Sequence, residues 1–244
     1  MRLAEIYASL QGEGLLAGTP STFVRASGCN LRCRWCDTPF TSWEPAGEDW
    51  MIGQVLERVA SLGRRHVVVT GGEPLLFPEI VELCGTLRHD GFHVTIETAG
   101  SVRAAGDGVA SNGAVKPLAD LMSISPKLSS SGPPAGTAGD WHRRHEAARR
   151  RDGVLLDLMA GGSYQFKFVI DSREDLSESL AWLDDLDRPC GMKNTRLRSR
   201  PPGAARSAEE LAGTTAWLAA ECRRSGISLA PRHHIDWFGH TRGT

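Results

Sequence analysis

The sequence predicts an α/β fold, a partial and open TIM-like barrel of about six β/α units. Short apolar segments rich in β-branched residues alternate along the chain with segments of helical period, which is the pattern of a parallel sheet covered by helices. A closed barrel of this type needs eight such units, so about six indicate an open one. No internal repeat or change of composition divides the sequence, and we expect a single domain over residues 1–244.

The first half of the chain contributes three strands and two helices to this prediction. Residues 21–27 form a strand that leads into a cysteine-rich loop, and residues 66–70 and 93–98 form two short β-branched strands. Helical period over residues 51–62 predicts one helix, and Pro78 suits the first turn of another. The side chains expected inside are Met51, Ile52, Val55, Leu56 and Val59 on the first helix and Ile80, Leu83, Cys84 and Leu87 on the second.

The second half continues with two strands, over residues 120–125 and 164–171, and with two helices. Ser172 begins the first of these helices. Ser207 begins the second, and Glu210 follows it with the spacing of a capping box. The side chains expected inside are Leu176, Leu180 and Leu183, followed by Leu211, Thr215, Leu218 and Cys222.

Three segments of the second half depart from the alternation. Residues 129–140 are a loop by composition, residues 141–151 form an arginine-rich helix, and residues 198–206 form a basic turn. A charge run of this kind is more often a solvated face than a nucleic-acid site. We therefore expect no direct contact with nucleic acid.

Charge and hydropathy exclude several classes of protein. The chain has 28 basic and 29 acidic residues, so its net charge of −1 creates no global attraction to nucleic acid or to an anionic membrane. No apolar run approaches the roughly 18 residues of a membrane span, and residues 1–14 lack the apolar stretch of a signal peptide. We expect a cytoplasmic protein without membrane contact, whose thiols stay reduced.

Three of the six cysteines, Cys29, Cys33 and Cys36, share one loop with the spacing C-x3-C-x2-C. A reducing compartment and an odd number argue against disulfides. A structural zinc site usually takes four ligands, so His66 or His93 would have to supply the fourth from a distance. Three thiolates with an open position suit an iron–sulfur cluster in which one iron binds something else. From the spacing alone, both alternatives stay open.

Two motifs together resemble the radical S-adenosylmethionine superfamily. The first is the cysteine spacing with Trp35 just before the last cysteine, and the second is "TGGEP" at residues 70–74, directly after a predicted strand. Two glycines at a strand end let the backbone approach a ligand closely. The resemblance implies a 4Fe–4S cluster on Cys29, Cys33 and Cys36, whose open iron chelates the amino and carboxylate groups of S-adenosylmethionine.

Further motifs resemble one family within that superfamily, the 7-carboxy-7-deazaguanine synthases of queuosine-precursor biosynthesis. They cover nearly the whole chain and are less clear over residues 101–118, 129–160 and 190–206. In order, they are "LQGEG" at 10–14, Gly18 and Pro20, Phe23 and Arg25, Gly28 and Cys29, "CRWCDT" at 33–38, "ETAG" at 97–100, "SPK" at 125–127 and "QFKFV" at 165–169.

This family resemblance implies a radical ring contraction. A 5′-deoxyadenosyl radical would take hydrogen from C6 of 6-carboxy-5,6,7,8-tetrahydropterin, and the product would be 7-carboxy-7-deazaguanine with loss of ammonia. It also implies Mg²⁺, a flavodoxin- or ferredoxin-type electron donor and a homodimer. No general acid or base stands out among the motifs, which suits chemistry that the cofactor carries.

The resemblance also implies a role for each matching residue. Leu10, Gln11, Gly12, Glu13 and Thr70 would face the substrate, Arg25 would pair with its carboxylate, and Thr38 would bind Mg²⁺. The cofactor pocket would consist of Trp35, Asp37, Gly72, Glu73, Ser125, Pro126 and Lys127.

The other cysteines and the last histidines receive no role. Cys84 and Cys222 lie on inward helix faces, and nothing near Cys190 makes it a ligand. For His234, in a segment that resembles the end of the family, two positions stay open, one at the active site and one on the surface, and we expect the surface. Two other functions stay open: another small radical enzyme, such as a glycyl-radical activase, and a zinc-binding module that contacts RNA through the basic helix.

Overall fold

The computed structural model describes residues 1–104, 118–186, 195–199, 208–239 and 241–243. Their strands are β1 (Arg2–Leu10), β2 (Pro20–Ala26), β3 (Glu48–Asp49), β4 (His66–Gly71), β5 (His93–Thr98), β6 (Leu121–Ile124), β7 (Tyr164–Ile170), β8 (Thr195–Ser199) and β9 (Ser228–Leu229). Their α-helices are α1 (Ile52–Leu62), α2 (Glu79–His89), α3 (Trp141–Arg149), α4 (Asp152–Ala160), α5 (Arg173–Asp185), α6 (Ala208–Ser225) and α7 (His233–Phe238).

The strands form one sheet in the order β3-β1-β2-β4-β5-β6-β7-β8-β9. From β2 to β9 neighbouring strands are parallel, whereas β1 runs antiparallel to β2 and β3 runs antiparallel to β1. Because β3 and β9 end the order without pairing to each other, the sheet is not closed. The predicted partial barrel, with the cysteine loop after its first parallel strand, is confirmed.

The sequence did not predict β1, and the reason lies in its register. The pairing of β1 with β2 shifts between Leu3 and Glu5, as at a β-bulge, which moves one residue out of the alternation between the two faces of a sheet. Leu3 is buried while Ile6 and Tyr7 are only partly buried. The alternation of buried and exposed residues that identifies a strand in a sequence is therefore interrupted in β1.

Most helices match their predicted spans, with two corrections to their inward faces. Met51 precedes α1 as its N-cap and is 75% exposed, because the helix begins one residue later than its periodicity suggests. Thr215 on α6 is exposed, whereas Leu218 and Cys222 are buried. Ser207, Cys190 and the side chain of Leu211 lie outside the described residues.

The main core lies between the sheet and the helices. Val55 and Val59 of α1 and Leu83 and Leu87 of α2 are fully buried in one cluster with the apolar residues of β4 and β5. Cys84 belongs to the same cluster, as predicted. Burying a Val or Leu side chain contributes about 1.5–3 kcal/mol, so these helices hold the strands, and thereby their carboxyl ends, in fixed register.

The segments that departed from the alternation contain more structure than the sequence indicated. Residues 141–151 form α3 almost as predicted, but a further helix, α4, follows directly. Residues 195–199 form β8, and the rest of the predicted basic turn lies outside the described residues. Of the helices described, none has the length and apolar character of a membrane span.

Candidate active site

A cavity of about 490 Å³ opens at the carboxyl ends of the parallel strands, the edge where such sheets bind ligands. Its volume lies within the usual range of small-molecule sites, roughly 300–1,000 Å³. Except for Glu73 and Pro126, the predicted site residues all line this cavity. They are Leu10, Gln11, Gly12, Glu13, Arg25, Cys29, Cys33, Trp35, Cys36, Asp37, Thr38, Thr70, Gly72, Ser125 and Lys127.

The loop after β2 presents its three cysteines to the cavity. Cys33 is buried, Cys29 and Cys36 are partly buried, and burial raises the pKa of the Cys29 and Cys33 thiols to about 12. Two donors face sulfur: the Leu31 amide is 3.4 Å from Cys29 Sγ, and the Ser42 hydroxyl is 3.3 Å from Cys36 Sγ. Three thiols with such donors fit an iron–sulfur cluster, whose iron displaces the thiol protons.

The two histidines that a zinc site would need lie at the opposite edge of the sheet. His66 and His93 are the first residues of their strands, whereas the cysteine loop follows the last residue of β2. Hydrogen bonds of 2.7 and 2.8 Å join His66 to Ser21 and Thr95. In the described ranges, no three His, Cys, Asp or Glu side chains converge on one metal ion. A cluster does not need such convergence, because each thiolate binds a different iron.

The two glycines of "TGGEP" bring two backbones together. A Cβ on Gly72 would lie 2.2 Å from the Gly28 carbonyl oxygen, and one on Gly71 would lie 2.1 Å from that of Ala26. The Gly72 amide donates to the Ala26 carbonyl (3.1 Å), and the Glu73 amide donates to the Gly28 carbonyl (2.8 Å). The turn after β4 is therefore fixed against the loop that carries the cysteines.

Glu73, predicted beside the cofactor, lies behind the cavity wall, as does Pro126. The Glu73 carboxylate is fully buried and accepts hydrogen bonds from the Thr98 hydroxyl (2.8 Å), the Ala99 amide (2.9 Å) and the Leu75 amide (3.2 Å). Burial raises the pKa of Glu73 despite these bonds. In this structure the carboxylate joins the turn after β4 to the end of β5.

A chain of alternating charges runs along the cavity wall. Lys167 Nζ lies 3.0 Å from Glu97 Oε1 and 3.3 Å from Glu13 Oε2. Arg232 continues the chain, with Nε 3.1 Å from Glu13 Oε1 and Nη2 3.1 Å from Asp37 Oδ2. Asp37 is half exposed, whereas the other four are largely buried. The chain joins the "LQGEG" segment, the cysteine loop and the central strands.

The inner end of this chain is an ionised carboxylate. Burial opposes the charge on Glu97, but the Lys167 ammonium and the hydrogen bonds from Lys167 and Thr70 outweigh it and hold the pKa of Glu97 below its usual value. The Thr70 hydroxyl is 3.0 Å from Glu97 Oε2, and Gln11 Nε2 is 3.3 Å from Oε1. The cavity therefore contains an anionic acceptor at neutral pH.

Arg25 lies in the cavity wall with two of its nitrogens already in use. Its Nε donates to Glu5 Oε1 (2.7 Å), and its Nη2 donates to the Tyr7 hydroxyl (2.8 Å). The other Glu5 oxygen accepts from Arg242 Nε (2.8 Å), and the Arg242 guanidinium lies 3.9 Å from the centre of the Phe40 ring. The C-terminal residues thus reach the wall of the cavity.

The residues predicted around the cofactor form a second polar group near the cysteines. Lys127 Nζ donates to the Ser125 hydroxyl (3.1 Å) and lies 6.0 Å from the centre of the Trp35 ring. The Thr38 hydroxyl accepts a hydrogen bond from the Thr41 hydroxyl (3.2 Å). One cavity therefore holds both the cofactor-side and the substrate-side predictions.

His234 lies at the cavity and not on the open surface expected for it. A Cβ on Gly12 would lie 2.3 Å from the His234 ring, and the Gly12 carbonyl accepts from the His233 amide (3.1 Å). Glycine at position 12 therefore lets α7 pack against the "LQGEG" segment.

Among the cavity residues for which the sequence predicted no site role are four polar ones near the centre of the charged chain: Glu97, Lys167, Arg232 and His234. Two carried a signal, since a glutamate and a lysine inside apolar strands are almost never buried without partners. The other two follow the last helix of the barrel, and no local pattern places them at the cavity.

Comparison with known proteins agrees with this arrangement. Residues 23–163 match the radical SAM superfamily. The chain is 39% identical to the 7-carboxy-7-deazaguanine synthase of Rhodopirellula baltica over 99% of its own length and 88% of that protein. It is also 39% identical to the synthase of the same name from Halobacterium salinarum, over 95% and 88% of the two chains.

A solved structure supports the fold. The crystal structure of QueE from Escherichia coli superposes with a TM-score of 0.67 at 22% identity, covering 96% of this chain and 94% of that one. The superfamily match covers more than half of this chain, and the two synthases match it over nearly its full length. The chain therefore belongs to the 7-carboxy-7-deazaguanine synthase family of radical S-adenosylmethionine enzymes.

Proposed function

We propose that this enzyme converts 6-carboxy-5,6,7,8-tetrahydropterin to 7-carboxy-7-deazaguanine with loss of ammonia. The observation that carries the proposal is the single cavity lined both by the three loop cysteines and by the charged chain from Asp37 to Glu97. The names of the relatives from R. baltica and H. salinarum support the same product.

As a radical S-adenosylmethionine enzyme, the protein uses a 4Fe–4S cluster and S-adenosylmethionine. Cys29, Cys33 and Cys36 would hold the cluster, and Trp35, Asp37, Gly72, Ser125 and Lys127 would line the cofactor side. When bound, the cluster and S-adenosylmethionine supply the radical that takes hydrogen from C6 of the substrate. Glu73, from behind the wall, would support this side indirectly.

The substrate side offers groups that match a pterin. The ring presents an amino group and a ring N–H along one edge, and a carboxylate is the natural acceptor for two such donors. Glu97 is ionised and faces the cavity between Gln11, Thr70 and Lys167. We place the pterin edge on Glu97, with the "LQGEG" segment along the ring. Held there, C6 would have one orientation relative to the cofactor side.

The substrate carboxylate would lie toward Arg25 and Thr38. Arg25 brings a positive charge to this part of the wall, although Glu5 and Tyr7 already bind two of its nitrogens. Thr38 offers a hydroxyl oxygen, a ligand type that Mg²⁺ accepts while keeping several waters. Thr38 would then hold Mg²⁺, which would supply positive charge for the substrate carboxylate.

Thr38→Ala tests the Mg²⁺ site. We expect the variant to keep its cluster and to lose most of its stimulation by Mg²⁺, because the one proposed protein ligand is gone. Activity is measured against Mg²⁺ concentration, and Thr38→Ser, which keeps the hydroxyl, is the matched control. A Thr38→Ala enzyme with wild-type Mg²⁺ dependence would remove Thr38 from the site.

The electron donor would bind the basic surface beside the cysteine loop. Arg34 is exposed directly after Cys33. On α3, the Trp141 ring contacts both Arg32 and Arg144, whose guanidinium carbons are 3.9 and 5.1 Å from its centre. A flavodoxin- or ferredoxin-type donor with an acidic face complements this charge.

Charge reversal at Arg34 and Arg144 tests that surface. We expect R34E/R144E to slow turnover about tenfold with an acidic flavodoxin at low ionic strength, and to leave turnover with dithionite unchanged. R58E/R64E, which reverses two other exposed arginines, changes the net charge by the same amount and serves as the control. An equal decrease in turnover with flavodoxin and with dithionite would contradict binding of the electron donor to this surface.

We also propose that the enzyme works as a homodimer, as the family resemblance implies. Trp237 on α7 is 42% exposed and stacks on His233, with ring centres 5.2 Å apart. Tryptophan is enriched at protein interfaces, and we assign Trp237 to the interface of this dimer. Sedimentation equilibrium measures the mass directly, and a monomer at micromolar concentration would contradict the proposal.

The decisive experiment for the function is anaerobic. The reconstituted enzyme is given reductant, S-adenosylmethionine, Mg²⁺ and 6-carboxy-5,6,7,8-tetrahydropterin, and 7-carboxy-7-deazaguanine is sought by mass spectrometry. Appearance of the product supports the proposal. Cleavage of S-adenosylmethionine without the product would point to another radical enzyme, such as a glycyl-radical activase.

A further inference from the structure

The segment from Leu128 to Arg149 contributes Trp141 and Arg144 to the proposed donor surface, but its buried side chains take no part in the proposed reaction. It contains the loop that departs from the β/α alternation and the arginine-rich helix α3. Its buried polar side chains are Ser131 and His145, and both are completely inaccessible to solvent. Polar groups so deeply buried need hydrogen-bond partners, and the partners of these two lie in or near the cysteine loop.

His145 and Ser131 bind the backbone on both sides of Cys33. The Arg32 amide donates to His145 Nδ1 (3.2 Å), and the Arg34 amide donates to the Ser131 carbonyl (2.9 Å). The Ser131 hydroxyl lies 2.9 Å from His145 Nε2 and donates to the Leu128 carbonyl (2.6 Å). Since Nδ1 accepts, Nε2 carries the proton and donates to Ser131. Every hydrogen-bond donor among these groups therefore has an acceptor.

The same segment is anchored to the core on its other side. Glu178 of α5 accepts from the Ser129 amide (3.0 Å) and from Arg149 Nη1 (2.9 Å). Near the loop, Arg32 donates to the Cys29 carbonyl (2.8 Å) while its guanidinium stacks on Trp141. The segment thus connects a packed helix to the backbone that positions two of the three cysteines.

We propose that residues 128–149 form a brace that holds the cysteine loop in the geometry required by the cluster, and that His145 is its positioning residue. Partners outside the ligand set commonly orient metal ligands in this way. The inference rests on the cluster-binding part of the proposed function and is independent of the substrate's identity.

The test compares three variants of the full-length protein after anaerobic reconstitution. His145→Leu removes both contacts of the imidazole. His145→Asn keeps an acceptor near the position of Nδ1 and loses the contact with Ser131, and Ser131→Ala removes only the hydroxyl. His89→Leu, an exposed histidine on α2, is the control for the change of residue type.

The measurement is the rate of iron release to a ferrous chelator without oxygen, together with the EPR spectrum of the reduced cluster. We expect His145→Leu to release iron at least about tenfold faster than wild type and to change the spectrum. His145→Asn and Ser131→Ala should release iron at rates between those of the wild type and His145→Leu. His89→Leu should release iron at the wild-type rate. Thermal unfolding of the apo proteins shows whether each variant is folded.

Each other outcome overturns a specific statement. A folded His145→Leu protein with wild-type iron release and spectrum overturns the brace. If His145→Leu does not fold, wild-type behaviour of both His145→Asn and Ser131→Ala overturns it equally. A wild-type protein that never takes up iron and sulfide overturns the proposed function as well, whereas intact loading with unaffected variants overturns this inference alone.

Discussion

The three strands β2, β4 and β5 carry polar residues at both ends, and the two ends differ in charge. At the amino ends, Ser21, His66 and Thr95 are joined by hydrogen bonds of 2.7 and 2.8 Å and are fully buried. At the carboxyl ends, Arg25 and Thr70 are register neighbours, and Thr70 donates to Glu97. The first row is neutral and internally hydrogen-bonded, whereas the second row is charged and lines the cavity that also contains the three loop cysteines.

The difference shows that buried polarity alone does not identify an active site. The side chains of the amino-terminal row are hydrogen-bonded to one another, so they keep no hydrogen-bonding capacity for a ligand. The carboxyl-terminal row keeps ionised groups at a cavity wall, where their remaining hydrogen-bonding capacity faces a substrate. His66 is therefore part of the core, although a histidine on its own resembles a ligand or a catalytic base.

The largest expected effect belongs to the carboxyl-terminal end. Cys33→Ala removes one cluster ligand, and we expect loss of the cluster and of all measurable turnover. Iron and sulfide analysis of the reconstituted protein, with Cys84→Ala as the buried-cysteine control, measures the change. A Cys33→Ala protein that retains about four irons per chain would contradict the ligand set.

Removing the cation from the charged chain should have the next largest effect. Lys167→Met leaves Glu13 and Glu97 without their shared ammonium, and breaking a buried pair in this way costs about 3–5 kcal/mol. We expect the free energy of unfolding to fall by that amount at pH 7, as measured by urea denaturation. The double variant E97Q/K167M should recover part of the loss, because one of the two carboxylates is then neutral. The single variant Glu97→Gln completes the cycle, and an equal effect of this change in the wild type and in Lys167→Met would show that the two residues are not coupled.

The amino-terminal row should respond to pH. Burial, with a smaller contribution from His93, lowers the pKa of His66 from 6.5 to about 4. Between these values the unfolded chain binds the proton and the folded protein does not, so His66 contributes stability that is complete above pH 6.5 and is lost as the pH falls toward 4. The shift corresponds to up to about 3 kcal/mol.

Urea denaturation between pH 7 and pH 4 measures this loss. His66→Gln should flatten the dependence of unfolding free energy on pH, and the exposed His89→Gln should leave it as in the wild type. If His66→Gln keeps the full slope, the titrating group lies elsewhere.

The smallest effect expected is that of Thr95→Val at the same row. The change removes one neutral hydrogen bond to His66, which costs about 1 kcal/mol, and it should not alter substrate turnover. If Thr95→Val lowered the free energy of unfolding as much as Lys167→Met does, the proposed difference between the two rows would be wrong.

Local patterns predicted those parts of the protein in which the determining residues are neighbours along the chain. The strands β2, β4 and β5 and the loop with Cys29, Cys33 and Cys36 follow from periodicity and spacing. The pair of Glu97 and Lys167 does not, because the partners lie 70 positions apart and meet only when β5 and β7 enter one sheet. Likewise the bulge in β1 hides its alternation until the strand is paired.

The arginine that joins the cysteine loop to the "LQGEG" segment has a consequence for biosynthesis. Arg232 reaches Glu13 across 219 positions and Asp37 across 195, and contacts so distant in sequence form late in folding. The contacts that fix the backbone around Cys33, in contrast, need only the chain up to Glu178 of α5, which anchors residues 128–149. During translation, the loop that receives iron can therefore be held in place while the ribosome still retains the residues that complete the substrate wall.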